Sequence, residues 1–246
     1  MFPIQNGVAT RYAPFVTWGL IAANCVVFLI QISLTPDELA WFLWRFALIP
    51  AHYFGTSLDV PPAQDLADYL PFFTSMFLHG GWLHLILNMW SLWIFGPPVE
   101  DRLGPGRYLA LYLVAGVIAS LTHALFNADS TIPSLGASGA IAGVMGCYVR
   151  LFPLSRLVVV VPILFIPLFF EVPALVFIGF WFLMQVLQGM VDVLGAADTG
   201  PIAWWAHIGG FVAGLILGRL LQRPRRSYRP YYSDEGVLGF TPGGRR

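Results

Sequence analysis

Five stretches of about 20 predominantly apolar residues dominate this chain, and they constrain its fold more than any other feature. They cover approximately residues 14–34, 82–103, 107–127, 135–152 and 202–222. A helix of this length crosses the hydrocarbon core of a bilayer. Only 11% of the 246 residues are charged, against about a quarter in an ordinary soluble domain. We therefore predict an all-α polytopic membrane protein.

A sixth apolar stretch, from residue 157 to 189, is too long for one span and too short for two. Pro162, Pro167 and Pro173 interrupt its first half, where proline disfavours a continuous helix. We therefore interpret 157–172 as an interfacial approach to the membrane and 173–194 as the fifth span. The prediction is then a bundle of six transmembrane helices.

The arginines predict how these spans are oriented. The chain has no lysine, and with six spans and a cytoplasmic N-terminus, twelve of its thirteen arginines fall on the cytoplasmic side and Arg45 alone falls outside. This bias follows the positive-inside rule and predicts that both termini are cytoplasmic, in a plasma or inner membrane.

This topology divides the chain into three parts. Residues 1–13 are a short cytoplasmic N-terminus, and 14–222 are the membrane domain, with a long outer loop over 35–81. Residues 223–246 are rich in Arg, Pro and Gly and are predicted to be a disordered cytoplasmic tail beside anionic lipid. The net charge of zero does not indicate a nucleic-acid partner, and the two cysteines form no metal-binding motif.

Four polar residues lie near the outer ends of the predicted second, fourth and sixth spans, where polar groups are costly and indicate function. They are His84, Asn88, Ser138 and His207. A serine hydroxyl becomes a nucleophile when a neighbouring histidine removes its proton. Ser138 begins a helix, whose first N–H groups are unpaired and can stabilise an oxyanion. His84 and Asn88, one turn apart, offer further donors.

Small residues on the fourth and sixth spans would let the two helices approach closely. On the fourth span they are Gly139, Ala142, Gly143 and Gly146, and on the sixth they are Gly210, Gly214 and Gly218. Gly210 and Gly214 lie on the same face of the sixth span as His207, three and seven residues after it. Close packing of the helices is also what a direct hydrogen bond between Ser138 and His207 requires.

Together these pieces resemble the rhomboid family of intramembrane serine proteases, in its bacterial six-span form. The resemblance covers about residues 14–222 and rests on Trp44-Arg45, on His79-Gly80-Gly81-Trp82-Leu83-His84 with Asn88, on Glu100 with Arg102 and Gly104, on Gly136-Ala137-Ser138-Gly139, and on Ala206-His207-Ile208-Gly209-Gly210.

The resemblance implies a rhomboid-like bundle with Ser138 as nucleophile and His207 as general base. His84, Asn88 and the backbone N–H of Ser138 would form the oxyanion hole, and we include Gly136 among the oxyanion and substrate-binding residues. Substrates would be single-pass membrane proteins, cut near their outer end through an acyl-enzyme without any metal or cofactor. The fifth span and the outer loop would act as gate and cover.

Some features depart from the family or leave alternatives. Ala142 stands where some members have a tyrosine that stacks on the catalytic histidine, so the sequence does not show what orients His207. Trp181 and Phe182 are candidate gating residues, and Asp198 is better interpreted as a loop residue than as a third catalytic group.

The alternative functions are an inactive relative that binds membrane proteins, a transporter or channel, and a haem protein using His84 and His207.

Overall fold

The structure is a computed structural model that describes residues 2–56, 61–163, 166–194 and 203–222. The predicted tail 223–246 and Asp198 lie outside these residues. The described helices are α1 (Phe15–Ser33), α2 (Pro36–Phe46), α3 (Ala51–Phe54), α4 (Pro71–Thr74), α5 (Trp82–Leu103), α6 (Pro105–Phe126), α7 (Ser138–Leu151), α8 (Ala174–Val193) and α9 (Trp204–Leu220). The described strands are β1 (Phe2–Asn6), β2 (Arg156–Ile163) and β3 (Ile166–Pro173), and two 3₁₀ turns cover Leu66–Tyr69 and Ser75–Phe77.

Each of the six predicted spans contains one long helix, and α5 begins and ends where the sequence places the second span. The junction between α5 and α6 shows why. Gly104 has φ +84°, a conformation that favours glycine, and its N–H closes the last turn of α5 on the Glu100 carbonyl. Pro105 then occupies the first turn of α6, where proline needs no hydrogen-bond donor.

The helices of the described residues identify a membrane protein. By length and hydropathy, α1, α6 and Ala174–Asp192 of α8 can each cross a membrane, and α5 adds a fourth span if the helical segment Leu66–Phe77 is its first half, bent by 79°. Helix α7 has 14 residues and is about 21 Å long at 1.5 Å per residue. The count of six spans and the cytoplasmic position of both termini stay predictions.

The all-α prediction is wrong for two segments, because the structure contains a three-stranded antiparallel sheet in the order β1-β2-β3. The described part of 157–172, predicted as an interfacial approach, belongs to the paired strands β2 and β3, and the predicted cytoplasmic N-terminus contributes β1. The run Val158–Val161 is β-branched and favours a strand over a helix. Hydropathy alone cannot distinguish the two conformations. The side chains of Trp90 and Asn6 attach β1 to α5.

Helix α7 forms the centre of the bundle, and every residue from Gly139 to Val149 is buried. Its small residues face α9 as the sequence predicts. A methyl group added at Gly210 would overlap the carbonyl oxygen of Gly139, and one added at Gly214 would overlap that of Gly143. The two backbones are therefore in direct contact, which brings the first turns of α7 and α9 together.

The outer loop is tied to the segment that precedes α7. Leu48 and Ser134 exchange two backbone hydrogen bonds of 3.0 and 2.7 Å, and the Asp129 carboxylate accepts from the backbone and hydroxyl of Thr56. In the same region, the N–H of Gly136 donates to the carbonyl of Ser75 at 2.9 Å. These contacts fix the backbone immediately before Ser138.

Candidate active site

Ser138 and His207 meet where the sequence predicts a nucleophile and its base. Ser138 is the first residue of α7 and His207 is the fourth residue of α9. The hydroxyl oxygen Oγ of Ser138 lies 2.8 Å from Nε2 of His207, which is hydrogen-bonding distance. Ser138 and His207 are 69 positions apart in the chain. They can form this contact because the glycine residues of α7 and α9 let the two helices pack backbone against backbone.

The second ring nitrogen of His207 has a partner that the sequence analysis missed. Nδ1 lies 2.7 Å from Oε1 of Gln185, a side chain of α8 that is 5% exposed. The rings of Trp181 and Trp204 flank the imidazole, with centroids 5.8 and 6.4 Å away. A glutamine among the large apolar residues of the fifth span was the available signal, since a buried polar side chain requires a partner.

His84 and Asn88 approach the same place from α5. A Cβ atom added at Gly136 would lie 2.8 Å from Nε2 of His84 and 3.8 Å from Nδ2 of Asn88. Both side chains therefore face the backbone two residues before Ser138. Gly136 has φ +131°, a conformation that other residues rarely adopt, and this lets its backbone pass so close to His84.

Asn88 carries an unused donor at this position. Its side chain is 6% exposed, and Nδ2 is a buried nitrogen with no hydrogen-bond acceptor among the described residues. A buried amide N–H without a partner costs free energy unless a ligand or water satisfies it. An oxyanion formed at Ser138 is a suitable acceptor, so the geometry is compatible with the predicted role of Asn88 and His84.

A pocket adjoins Ser138 and is lined mainly by small side chains. They come from α6, from the segment before α7 and from the first turns of α7 and α9, and they include Gly116, Ala119, Gly139 and Ala206. Met76 contributes a larger side chain, and its Cε and Sδ atoms occupy the space where Gly116 lacks a Cβ. The pocket has room only for a small group beside the hydroxyl.

His79, which opens the motif before α5, has a structural position. Its backbone N–H donates to Oε1 of Gln31 at 2.9 Å, and its carbonyl accepts from Nε2 of Gln31 at 3.2 Å. Its ring packs against His84 with a centroid distance of 5.1 Å. His79 therefore links the end of the outer loop to α1, and its ring packs against the ring of His84.

Glu100, another residue of the resemblance, is placed at the opposite end of α5. Its carboxylate accepts hydrogen bonds of 2.7 to 2.9 Å from the backbone of Val16 and Thr17 and from the Thr17 hydroxyl. Because the first N–H groups of a helix have no partner of their own, this carboxylate caps α1. Glu100 is thus structural and remote from Ser138.

A hydrogen-bonded serine–histidine pair thus lies among apolar helices of a membrane protein, near the buried and unpaired amide donor of Asn88. The sequence model of the Rhomboid domain matches residues 67–224, and the chain belongs to the rhomboid family.

Several curated proteins are similar to this chain. Rhomboid protein 1, mitochondrial, from Saccharomyces cerevisiae is 29% identical over 82% of this chain and 51% of its own length. RHOMBOID-like protein 6, mitochondrial, from Arabidopsis thaliana is 32% identical over 90% of this chain and 74% of its own. Presenilin-associated rhomboid-like protein, mitochondrial, from Homo sapiens is 31% identical over 80% of this chain and 46% of its own.

The chain spans about half the length of the yeast and human relatives. These relatives are mitochondrial by name, so they give no support to the predicted plasma or inner membrane.

Proposed function

We propose that this rhomboid-family protein is an intramembrane serine endopeptidase. Ser138 Oγ attacks a peptide carbonyl while Nε2 of His207 takes the hydroxyl proton, and the resulting oxyanion accepts hydrogen bonds from Asn88, His84 and the Ser138 backbone N–H. His207 then protonates the leaving amine, and water releases the acyl group from Ser138 by the reverse sequence. The 2.8 Å distance between Ser138 Oγ and His207 Nε2 is the observation that carries this proposal.

The proposed substrates are single-pass transmembrane proteins, cut near the outer face of the membrane. A peptide bond inside a regular helix is hydrogen-bonded and shielded by side chains, so cleavage requires a segment that unwinds readily. The small-residue pocket beside Ser138 favours a small residue on the acyl side of the bond. Helix α8 and the outer loop, which border the site, are the proposed gate and cover.

Reconstituted vesicles provide the test. The purified chain is mixed in liposomes with a single-pass reporter whose helix contains small and helix-weakening residues near one end, and the products are weighed by mass spectrometry. We expect one cut within the reporter helix, lost in Ser138→Ala and in His207→Ala. Cleavage that persists in both variants would show that another group, or a contaminant, performs the reaction.

Two alternative functions are less well supported. An inactive relative that only binds membrane proteins would be expected to lack Ser138 or His207, and here the two are hydrogen-bonded. Haem ligation by His84 and His207 would need a free nitrogen on each ring, yet both nitrogens of His207 contact protein groups.

A plasma or inner membrane location stays part of the proposal, and fractionation of the host cell tests it.

A further inference from the structure

The amide of Gln185 is held in one orientation between two partners. Its nitrogen Nε2 donates to the backbone carbonyl of Trp181, one turn earlier in α8, at 3.2 Å. A backbone carbonyl can only accept a hydrogen bond. The amide oxygen Oε1 is therefore the atom that faces His207 Nδ1 at 2.7 Å.

This orientation determines which nitrogen of His207 carries the proton in the neutral ring. An amide oxygen cannot donate, so Nδ1 must carry hydrogen to form this bond. The lone pair then resides on Nε2, which faces the hydroxyl of Ser138. We infer that Gln185 is the positioning residue of the site, holding His207 in the tautomer that can accept the Ser138 proton. This inference rests on the proposed function. It also identifies a residue that orients His207 in this chain, where Ala142 stands in place of the tyrosine that some family members stack on the histidine.

The same hydrogen bond connects the base to a different helix. Gln185 belongs to α8 and His207 to α9, and hydrogen bonds weaken steeply once the two atoms separate beyond about 3.5 Å. The orientation of His207 therefore depends on how closely α8 packs against α9. Loss of that contact would leave the ring free to rotate or to change tautomer.

Histidine NMR tests the positioning role directly. The protein is labelled with ¹³C,¹⁵N-histidine in a Ser138→Ala background, where the chain cannot react, and the His207 signals are assigned by their loss in His207→Ala. We expect the Nδ1–H tautomer to predominate with Gln185 present and a tautomer mixture in Gln185→Leu. An unchanged tautomer in Gln185→Leu would overturn the inference, whatever the activity of the wild-type protein.

Reaction with a fluorophosphonate provides the functional counterpart. In otherwise wild-type protein, Gln185→Leu should slow labelling of Ser138 by about 10-fold to 100-fold, since each tenfold corresponds to 1.4 kcal/mol, close to one hydrogen bond. The matched control is Gln188→Leu, the same change three residues along α8, which should label at the wild-type rate. Equal rates in all three proteins would contradict the role of Gln185. Absence of labelling in the wild type would contradict the proposed function instead.

A second inference concerns β3, which exposes large apolar side chains on both of its faces. Ile166, Leu168, Phe169 and Phe170 are between 38% and 65% exposed, and successive residues of a strand point to opposite faces. Among the described residues β3 has no second strand partner, and an apolar surface of this kind on an edge strand indicates that something covers it.

The free edge of β3 is poorly suited to pairing with another strand. The Arg156 carbonyl accepts from Gly7 at 2.7 Å, so Arg156 faces β1, and its cross-strand neighbour Pro173 points away from β2. By alternation, the backbone groups of residues 167, 169, 171 and 173 face the free edge. Two of these four residues, Pro167 and Pro173, have no N–H to donate. A strand from a second copy would therefore find few donors.

The position of β3 indicates lipid as the partner. β3 leads directly into α8, whose first turns continue the exposed apolar surface at Leu175 and Val176. Basic residues occupy the last turns of α5, α7 and α9: Arg102, Arg150 and Arg219. The last turns of α7 and α9 meet where Cys147 contacts Gly218, and the Leu221 carbonyl accepts from Arg107 of α6. Strand β2 begins five residues after the end of α7, so the hairpin lies at this arginine-bearing end of the bundle.

The geometry points to β3 as a membrane-interface element, seated at the boundary of headgroups and acyl chains beside anionic phospholipid. There the apolar side chains enter the hydrocarbon while water and headgroups still satisfy the free backbone groups. The exposed Arg156–Glu171 ion pair, 2.8 Å long, sits near the base of the hairpin and adds no net charge to it.

A nitroxide at position 169 tests this placement. In a background with Cys25→Ala and Cys147→Ala, Phe169→Cys is spin-labelled in phosphatidylglycerol liposomes, and its collisions with oxygen and with a water-soluble nickel complex are compared. Val176→Cys on α8 is the lipid reference and Thr131→Cys, in the exposed loop before α7, is the water reference. We expect position 169 to resemble position 176. Behaviour like position 131 would overturn the inference, and so would exclusion of both reagents, which would show coverage by protein.

Discussion

At the scale of single residues, the site combines an acceptor for the Ser138 hydroxyl, His207, with a buried and unpaired donor, Asn88. His207 Nε2 is 2.8 Å from the hydroxyl, while Nδ2 of Asn88 is buried without an acceptor among the described residues. Donors fixed in advance where negative charge develops stabilise a transition state without reorganising. Under the proposed function, the buried amide of Asn88 would meet the negative charge of the oxyanion.

Asn88→Ala removes one donor from the oxyanion site and leaves the Ser138–His207 contact intact. We expect the rate of reporter cleavage to fall by about 10² to 10³, the usual effect of losing one oxyanion donor. The measurement is kcat in proteoliposomes, with the thermal unfolding temperature as a control for folding. A rate within threefold of the wild type would remove Asn88 from the oxyanion site.

At the scale of secondary-structure elements, the contact between α7 and α9 determines whether the site exists. Gly139 and Gly143 on α7 receive Gly210 and Gly214 on α9 with backbone against backbone. In a membrane, where burying apolar side chains gains little, such close packing is a main source of helix association. The glycines are consequently structural, and their effect on catalysis is indirect.

Gly214→Ala places a methyl group against the Gly143 carbonyl and should push α9 away from α7. We expect a loss of about 1–3 kcal/mol in the free energy of unfolding, the usual cost of overpacking, measured by unfolding in mixed detergent micelles. The control is Gly19→Ala on α1, where an added Cβ meets no atom within 4 Å and should be neutral or slightly stabilising. Equal stability of the two variants would contradict the close approach.

The attachment of the outer loop should depend on pH through Asp129. Hydrogen bonds from the backbone and hydroxyl of Thr56 lower the pKa of the Asp129 carboxyl from its ordinary value of 3.8. Because the pKa is lowered in the folded protein, the attachment is complete above that ordinary value and is lost as the pH falls through the lowered one. Titration of the Thr56 amide by NMR should give a midpoint below 3.8, with Thr131 as the exposed control. A midpoint at or above 3.8 would contradict the contact.

At the scale of the whole molecule, the sequence predicts the helices well and the sheet not at all. The bounds of α5 follow from an apolar run closed by Gly104 and Pro105, which is local information. The hairpin has the same hydropathy as a span, and its pairing with β1 joins residues more than 150 positions apart. Such a long-range pairing leaves no periodic signal in the sequence.

The site shows the same division between local and long-range information. Ser138, His207, His84 and Asn88 are recognisable because each is a polar residue near the end of an apolar stretch, within a motif. Gln185 has no motif around it, and its role depends on the packing of α8 against α9, which the sequence does not specify. Only the structure shows that its oxygen reaches Nδ1 of His207.

The central claim is that Ser138, activated by His207, is the nucleophile of a membrane-embedded hydrolase. The most direct measurement is to treat the protein in detergent with a fluorophosphonate and map the adduct by peptide mass spectrometry. We expect a single adduct on Ser138, absent in Ser138→Ala and formed at least tenfold more slowly in His207→Ala. An adduct on another residue, or labelling of Ser138 that is equally fast without His207, would contradict the account.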